Sequence, residues 1–243
     1  MTRKITSQLL LLSCGIASPL LYITGDVVAS THYKGYSYLH QTISELNAFG
    51  SPVRGLTIVF GMAVYLALIG FGAGLWRSAP GNRRLQFVAV LMVVLGVLSL
   101  WAVPFASMEP RGAEQGVAHV VEGAVAVSLI LTSIGIAATC FGRQFRWYSI
   151  GTVVILLAFG AWTGMDGPRI AQGLSTPWVG VKERISVYSY QLWFLALAVT
   201  LLRRPVPKAP GVVADGSRLH FGPTVTEASQ VQGQRRADKR ARG

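Results

Sequence analysis

The most evident shortage in this 243-residue chain is charge. Asp, Glu, Lys and Arg together make up only 13% of it, whereas apolar residues make up 51%. A soluble globular domain carries about 25% charged residues. The composition therefore excludes an ordinary soluble domain and predicts a protein whose solvent is a lipid bilayer.

Cysteines and sequence motifs of catalysis are also scarce. The two cysteines, Cys14 and Cys140, lie inside apolar runs, so they suggest neither a disulfide framework nor a CxxC metal or redox pair. The chain has no P-loop, no dinucleotide-binding glycine pattern and no GxSxG elbow. No histidine lies within an apolar run away from its ends, which argues against axial ligation of a haem. We therefore expect no cofactor.

What the chain has instead is long apolar stretches. Six of them approach the roughly 20 residues that a helix needs to cross a bilayer. The predicted spans are 5–28, 54–76, 85–108, 117–142, 147–165 and 185–202. Backbone groups cannot stay unpaired in hydrocarbon, so these spans should be α-helices. We predict an all-α integral membrane protein, with a six-helix bundle in residues 1–202.

The distribution of basic residues predicts the orientation of this bundle. If the N-terminus is inside, the inner segments hold 16 of the 22 Lys and Arg residues. Positive charge favours the cytoplasmic side, so both termini are predicted to face the cytoplasm of a prokaryotic cell. Residues 203–243 carry half of the net charge of +12 and lack apolar periodicity. We interpret them as a disordered, basic cytoplasmic tail that helps to set topology, and we expect no nucleic-acid partner.

A polar segment, Tyr36–Pro52, separates the first two apolar runs. From Leu39 to Phe49 its apolar residues recur at steps of four, three and three, which predicts a short amphipathic helix. We expect this helix at the outer membrane interface, with His40, Ser44 and Glu45 turned toward a cleft. The alternative is an ordinary interfacial helix whose polar face meets water.

Further ionisable residues fall on the same side of the predicted topology. They come from two other outer segments, 109–122 and 166–184, and we take them with the first three as candidate binding residues. The added candidates are Glu109, Arg111, His119, Glu122, Asp166, Arg169, Glu183 and Arg184. Ionisable groups inside a helix bundle usually pair with one another or act on a ligand. The alternative is that each charge only marks the membrane interface.

These segments also carry a resemblance to a known family. The stretches are YSYLHQTISELNAFGSPVRG after the first span, PFASMEP at the end of the third, His119 at the start of the fourth and VKERISVYSYQLWFLALAVTLL as the last. They resemble the domain of unknown function 998 (DUF998) family, a group of bacterial and archaeal membrane proteins, over roughly Leu12 to Leu202. The resemblance implies a six-helix membrane domain. It implies no activity, cofactor, substrate or site residue.

Three functional hypotheses follow from these patterns. The first, which we favour, is binding or transport of a lipid headgroup or small solute in an outward-facing cleft. Guanidinium groups suit phosphate or carboxylate, so Arg111, Arg169 and Arg184 are its candidate anion ligands. Membrane lipids are the expected partners.

The second hypothesis is a membrane-embedded, metal-dependent lipid hydrolase. Its candidate zinc ligands are His40, Glu45, His119 and Glu122, although the chain has no HExxH or other tight ligand spacing. An enzyme is the less favoured class, and no metal site is assigned.

The third hypothesis is an accessory or scaffold subunit. The GxxxG pairs Gly70/Gly74 and Gly160/Gly164 permit close helix contact. They would serve either a homo-oligomer, a partner membrane protein or packing within the chain.

Overall fold

The fold consists of helices alone within the described part of the chain. The structure is a computed structural model; it describes the backbone of residues 2–203 and the side chains of residues 6–203. The helices are α1 (Thr2–His32), α2 (Ile43–Leu46), α3 (Arg54–Ser78), α4 (Arg83–Phe105), α5 (Val117–Ala138), α6 (Arg143–Gly164), α7 (Gly167–Ala171) and α8 (Val179–Leu202). Apart from Arg203, the predicted tail lies outside the described residues.

Six of these helices (α1, α3, α4, α5, α6 and α8) are long and apolar enough to cross a membrane. The prediction of an all-α, multi-pass membrane protein is confirmed. Each long helix contacts the next in a closed ring, from α1 through α3, α4, α5 and α6 to α8, which returns to α1. The ring is filled at its centre by a buried apolar cluster that includes Phe71 and Trp193. The Trp193 indole donates a hydrogen bond to the Ser149 hydroxyl at 2.9 Å.

The GxxxG pair on α3 serves packing within the chain. A Cβ atom at Gly74 would lie 2.9 Å from the backbone of Leu11 and Leu12 on α1, and one at Gly70 would lie 3.2 Å from Cys14 Sγ. Small residues at these positions let the two helices approach closely. In the second pair, Gly160 faces Ser186 of α8, whereas Gly164 has open space.

The two ends of the ring differ. The three long connections, residues 33–53, 106–116 and 165–178, meet at one end, which we call the cap end. Backbone hydrogen bonds join them there: Phe49 N–H donates to the Met108 carbonyl and Gly112 N–H to that of Ile170, both at 2.9 Å. The short connections, residues 79–82 and 139–142, lie at the opposite end, which we call the basic end.

The interfacial helix is shorter than predicted. Only Ile43–Leu46 is α-helical. At its start, the Thr42 hydroxyl and the Glu45 carboxylate form a capping box. After it, Phe49 gives its N–H to Met108 in another connection rather than to its own helix. The sequence from Leu39 to Phe49 has helical periodicity, but the contacts of this segment at the cap end limit the helix to its central residues.

At the cap end, two long helices extend beyond the predicted spans. Helix α8 begins at Val179, six residues before the predicted boundary, and α1 continues to His32, four residues after it. The extension of α8 brings Lys182, Glu183 and Arg184 into the helix, with Lys182 and Arg184 buried.

Candidate functional site

A cavity of about 370 Å³ lies inside the ring, beneath α2. This volume is at the lower end of the range for small-molecule sites, about 300–1,000 Å³. Residues of α1, α3, α4, α5 and α8 form its wall, and most of them are apolar. Its polar lining consists of Tyr22, Asp26, Ser44, Asn47, Thr57, Tyr65, Ser99, Ser107, His119, Glu122, Glu183, Ser186 and Tyr190. The lining of the cavity is therefore mainly apolar, with separate polar side chains among the apolar ones.

Helical spacing explains how α5 and α8 supply the acidic groups. On α5, lining residues recur from His119 to Ile130 at steps of three and four; on α8 they recur from Glu183 to Tyr190 in the same way. Residues three and four apart share one helix face. Each helix thus turns one continuous stripe inward, and the stripe carries a glutamate near its cap end.

The two glutamates, Glu122 and Glu183, are hydrogen-bonded but have no cationic partner in the described part of the chain. The Ser99 hydroxyl donates to Glu122 Oε1 at 3.1 Å. The Ser44 hydroxyl donates to Glu183 Oε1 at 2.9 Å, and the Ile43 N–H donates to Glu183 Oε2. Among the described residues, neither carboxylate lies within salt-bridge distance of a Lys or Arg.

His119 adds a further acceptor to this wall. Its Nδ1–H donates to the Ala106 carbonyl at 3.2 Å, since a carbonyl can only accept. In the neutral imidazole the other nitrogen, Nε2, is then an acceptor. Together with Glu122 and Glu183, it makes the lining rich in acceptors. A ligand that brings hydrogen-bond donors and positive charge would complement it.

Arg184 is committed to an internal ion pair. Its Nε and Nη2 donate to the two carboxylate oxygens of Asp26, each at 2.8 Å, and its Nη1 donates to the Tyr38 carbonyl at 2.8 Å. The Arg184 and Asp26 side chains are only 5% and 1% exposed. The guanidinium carbon also lies 3.5 Å from the centre of the Tyr38 ring. This arginine therefore joins α1, α8 and the connection between α1 and α3.

Two tyrosines complete that cluster. Tyr36 accepts a hydrogen bond from Arg184 Nη2 at 2.8 Å and donates one to the Thr42 carbonyl at 2.7 Å. Burial raises the pKa of Tyr36 well above its ordinary value, against the opposing effect of Arg184. The phenol stays protonated and remains a donor. Tyr188 donates to Asp26, so the carboxylate is surrounded by donors.

Arg111 holds the three cap connections together. Its Nε and Nη2 donate to Glu45 Oε1 and Oε2 at 2.8 and 2.9 Å, and its Nη1 donates to the Leu174 carbonyl and the Thr176 hydroxyl at 2.9 and 3.0 Å. Burial opposes ionisation of Glu45, but the hydrogen bonds from Arg111 and from Thr42 N–H outweigh it and lower the pKa of Glu45 below 4.5. The pair is therefore ionised at neutral pH.

The remaining predicted residues lie in the cap rather than in the cavity. Asp166 pairs with Lys182. Arg169 donates to the Ser175 carbonyl at 2.9 and 3.0 Å, and His40 Nδ1 accepts from Trp178 N–H at 3.1 Å. That bond and an edge-on ring contact between the same residues support Trp178 in its left-handed conformation, at φ 65°.

The predicted residues thus divide into groups. Ser44, His119, Glu122 and Glu183 line the cavity. Glu45, Arg111, Asp166 and Arg184 form ion pairs, and His40, Glu109 and Arg169 lie at the surface of the cap. The four candidate zinc ligands are split among these groups. Within the part of the chain that the structure describes, no three His, Cys, Asp or Glu residues are arranged to hold a metal ion.

Sequence reasoning missed several residues of this region. Asp26 lies within the predicted first span but is not among the candidate residues, although a carboxylate within an apolar helix is itself a signal of a buried partner. Lys182 falls in a predicted outer segment and is not among the candidates either. The cavity tyrosines Tyr22, Tyr65 and Tyr190 gave no signal, because aromatic residues in a span usually indicate packing.

The comparison with known families can now be set beside this geometry. The model of the family described as "Protein of unknown function (DUF998)" matches residues 16–200. The chain belongs to the DUF998 family. The match includes all three cap connections, the cavity glutamates and most of each long helix, and it confirms the resemblance found in the sequence. Neither the curated proteins nor the solved structures give a match to this DUF998 chain.

Proposed function

We propose that this DUF998 protein binds a small amphiphilic molecule with an ammonium group in the cavity, as a receptor or carrier. The observation that carries the proposal is the pair of cavity carboxylates, Glu122 and Glu183, without a cationic partner among the described residues. Both side chains are partly buried, and a carboxylate that is withdrawn from water is costly unless it is paired. An ammonium group would supply both the charge and the donors.

The partners of the arginines favour a cationic ligand over an anionic one. Arg111 and Arg184 already meet carboxylates, and Arg169 is bonded to a backbone carbonyl. No Lys or Arg side chain of the described residues lines the cavity. The headgroup of an aminolipid and a free organic amine both fit this chemistry, and the apolar wall accepts their hydrocarbon part.

The packing of α5 supports entry from the bilayer. Its buried residues, from Ile130 to Ala138, all lie in its second half. In the half nearer the cap, Val117 is 78% exposed and the cavity-lining residue Val127 is 39% exposed. The α5 side of the cavity is thus formed in part by a half-exposed residue, on a surface expected to face lipid. A ligand that partitions into the membrane would reach the carboxylates by this route.

We infer that the cap end faces outward from the cytoplasmic membrane of a prokaryotic cell. The basic end carries Arg77, Arg83, Arg84, Arg143 and Arg146, which positive-inside asymmetry assigns to the cytoplasm. Both termini then lie inside, and the cavity serves the outer leaflet. Single cysteines at the two ends, labelled in intact cells with an impermeant maleimide after Cys14 and Cys140 are replaced, would test this orientation.

The binding proposal is tested with a simple amphiphilic amine. Decylammonium is titrated into the detergent-purified protein, with decyl phosphate as the probe of opposite charge, and thermal stabilisation is followed. We expect Glu122→Gln to weaken the amine by roughly tenfold, because a hydrogen bond to a charged group contributes about 1.5–3 kcal/mol. Gln can still accept from Ser99, so the fold is retained.

The matched control is Glu114→Gln, which removes the same charge from an exposed position in the connection between α4 and α5. It should leave the amine affinity unchanged. Equal weakening in the two variants, or stronger stabilisation by decyl phosphate than by decylammonium, would refute the proposal.

A further inference from the structure

A second concave surface lies at the basic end. On α4 it is at the opposite end of the helix from Ser99, which lines the cavity. It is a groove of about 480 Å³ between the first turns of α4 and the last turns of α5. Its lining consists of Arg83, Arg84, Phe87, Gly135, Ile136 and Thr139. We call it the arginine groove. None of these residues lines the cavity.

The positive charge of this groove has no acidic partner among the described residues. Residues 76–86 and 138–148, which form the basic end around it, contain five arginines and no Asp or Glu. Arg84 Nη1 donates to the Thr139 hydroxyl at 3.3 Å, so it reaches from α4 to α5 across the groove. Arg83 is exposed and makes no ion pair with the described residues. Neither guanidinium group has a carboxylate partner among the described residues, so both are available to meet an anion.

The rest of the groove is apolar and open. The Phe87 side chain is 51% exposed. A Cβ atom at Gly135 would have no neighbour within 4 Å, so the glycine leaves a shallow channel beside Ile136. The groove thus joins a cationic end, at the predicted membrane border, to a hydrocarbon-facing surface that runs along two spans. This is the shape and polarity of a phospholipid: a phosphate at one end and an acyl chain at the other.

We propose that the arginine groove binds an anionic phospholipid. Guanidinium forms charge-assisted, often bidentate hydrogen bonds with phosphate oxygens, and the absence of nearby carboxylates in the described residues disfavours zwitterionic headgroups that carry an ammonium group. The acyl chain packs on Phe87, Gly135 and Ile136. This site and the cavity have opposite charge preference, so one can fail while the other stands.

The experiment uses the full chain in mild detergent with equimolar phosphatidylglycerol and phosphatidylcholine, and native mass spectrometry to count bound lipid. We expect phosphatidylglycerol to be retained preferentially. Arg84→Gln should weaken its binding about fivefold, the usual effect of one basic residue on an anionic lipid. Arg77→Gln, at the same end but outside the groove, is the matched control and should change binding by less than twofold.

A second pair of variants separates the groove from general surface charge. Gly135→Leu fills the apolar channel without altering any charge, and it should remove most of the bound phosphatidylglycerol. Gly151→Leu introduces the same side chain at an exposed site on α6 that also has open space, and it should remove none. Glu122→Gln in the cavity should have no effect on this lipid.

Three results would overturn the proposal. One is equal retention of phosphatidylcholine and phosphatidylglycerol. Another is an Arg77→Gln loss as large as that of Arg84→Gln, which would show that only overall positive charge matters. The last is unchanged lipid retention in Gly135→Leu while Phe87→Ala also binds normally, since both variants alter the apolar floor.

Discussion

The cap end and the basic end use charged residues in opposite ways. All three ion pairs found among the described residues are at the cap end: Arg111–Glu45, Lys182–Asp166 and Arg184–Asp26. At the basic end, residues 76–86 and 138–148 contain five arginines and no carboxylate. The same residue type is thus part of the internal framework at one end and available for outside contacts at the other. An arginine at a membrane border is not by itself evidence of an anion site.

What remains after pairing also differs between the two ends. At the cap end, the carboxyl groups of Glu122 and Glu183 line a cavity and make no ion pair with the described residues. At the basic end, the guanidinium groups of Arg83 and Arg84 line the arginine groove and likewise make no ion pair with those residues. The net charge of +12 hides this division. Ligand preference is therefore set by local pairing rather than by the sum over the chain.

The strongest test of the comparison is to remove the most buried cation at the cap end. We expect Arg184→Gln to lower the free energy of unfolding by about 3–5 kcal/mol, because it leaves Asp26 buried without its charge partner. The measurement is thermal or denaturant unfolding in detergent. A loss below about 1 kcal/mol would contradict a structural role for this pair.

A double-mutant cycle isolates the pair itself. Asp26→Asn combined with Arg184→Gln should cost clearly less than the two single changes added together, since the second substitution removes the uncompensated partner. Strict additivity would mean that the two side chains do not interact in solution.

A change at Glu45 should have a smaller, pH-dependent effect. Glu45→Gln keeps the capping box, in which Gln also serves, but removes the charge that Arg111 contacts. We expect a loss of about 2 kcal/mol at pH 7. The pKa of Glu45 lies below 4.5 in the folded protein, so its contribution is complete above that pH and is lost as the pH falls through the folded value.

The measurement for Glu45 is the difference in unfolding free energy between wild type and Glu45→Gln from pH 7 to pH 3. This difference should stay constant down to about pH 4.5, the ordinary pKa of Glu, and narrow below it. Glu114→Gln, at an exposed position, provides the control with no such difference. If the difference in unfolding free energy grew larger as the pH fell, the pKa of Glu45 would have to be raised in the folded protein, and its ion pair with Arg111 would be refuted.

The sequence predicts the helices of this molecule better than it predicts the side-chain pairs that join them. Long apolar stretches identify the six spans, because nothing but a helix satisfies the backbone in hydrocarbon. The topology also brings Ser44, His119, Glu122 and Glu183 into one cavity from three separate segments. These inferences depend on local composition and on the number of membrane-spanning helices, and both can be obtained from a single sequence.

Pairing between side chains that are distant in sequence cannot be predicted in the same way. Asp26 and Arg184 are 158 residues apart, and no local pattern selects one carboxylate among several for that arginine. The same limit applies to α2: the sequence shows the periodicity from Leu39 to Phe49, but only the fold shows that Met108 takes the Phe49 N–H. For the same reason, the sequence suggests Arg111, Arg169 and Arg184 as ligands of an anion, whereas in the structure each is bonded to a carboxylate or a carbonyl of the chain itself.

The smallest expected effect belongs to the basic end. Arg77 and Arg143 are exposed and make no ion pair with the described residues, so Arg77→Gln and Arg143→Gln should each change the free energy of unfolding by less than about 0.5 kcal/mol. Unfolding in the same detergent as for Arg184→Gln checks this. A loss above about 2 kcal/mol for either variant would mean that the basic end is also held by its arginines, and the contrast with the cap end would disappear.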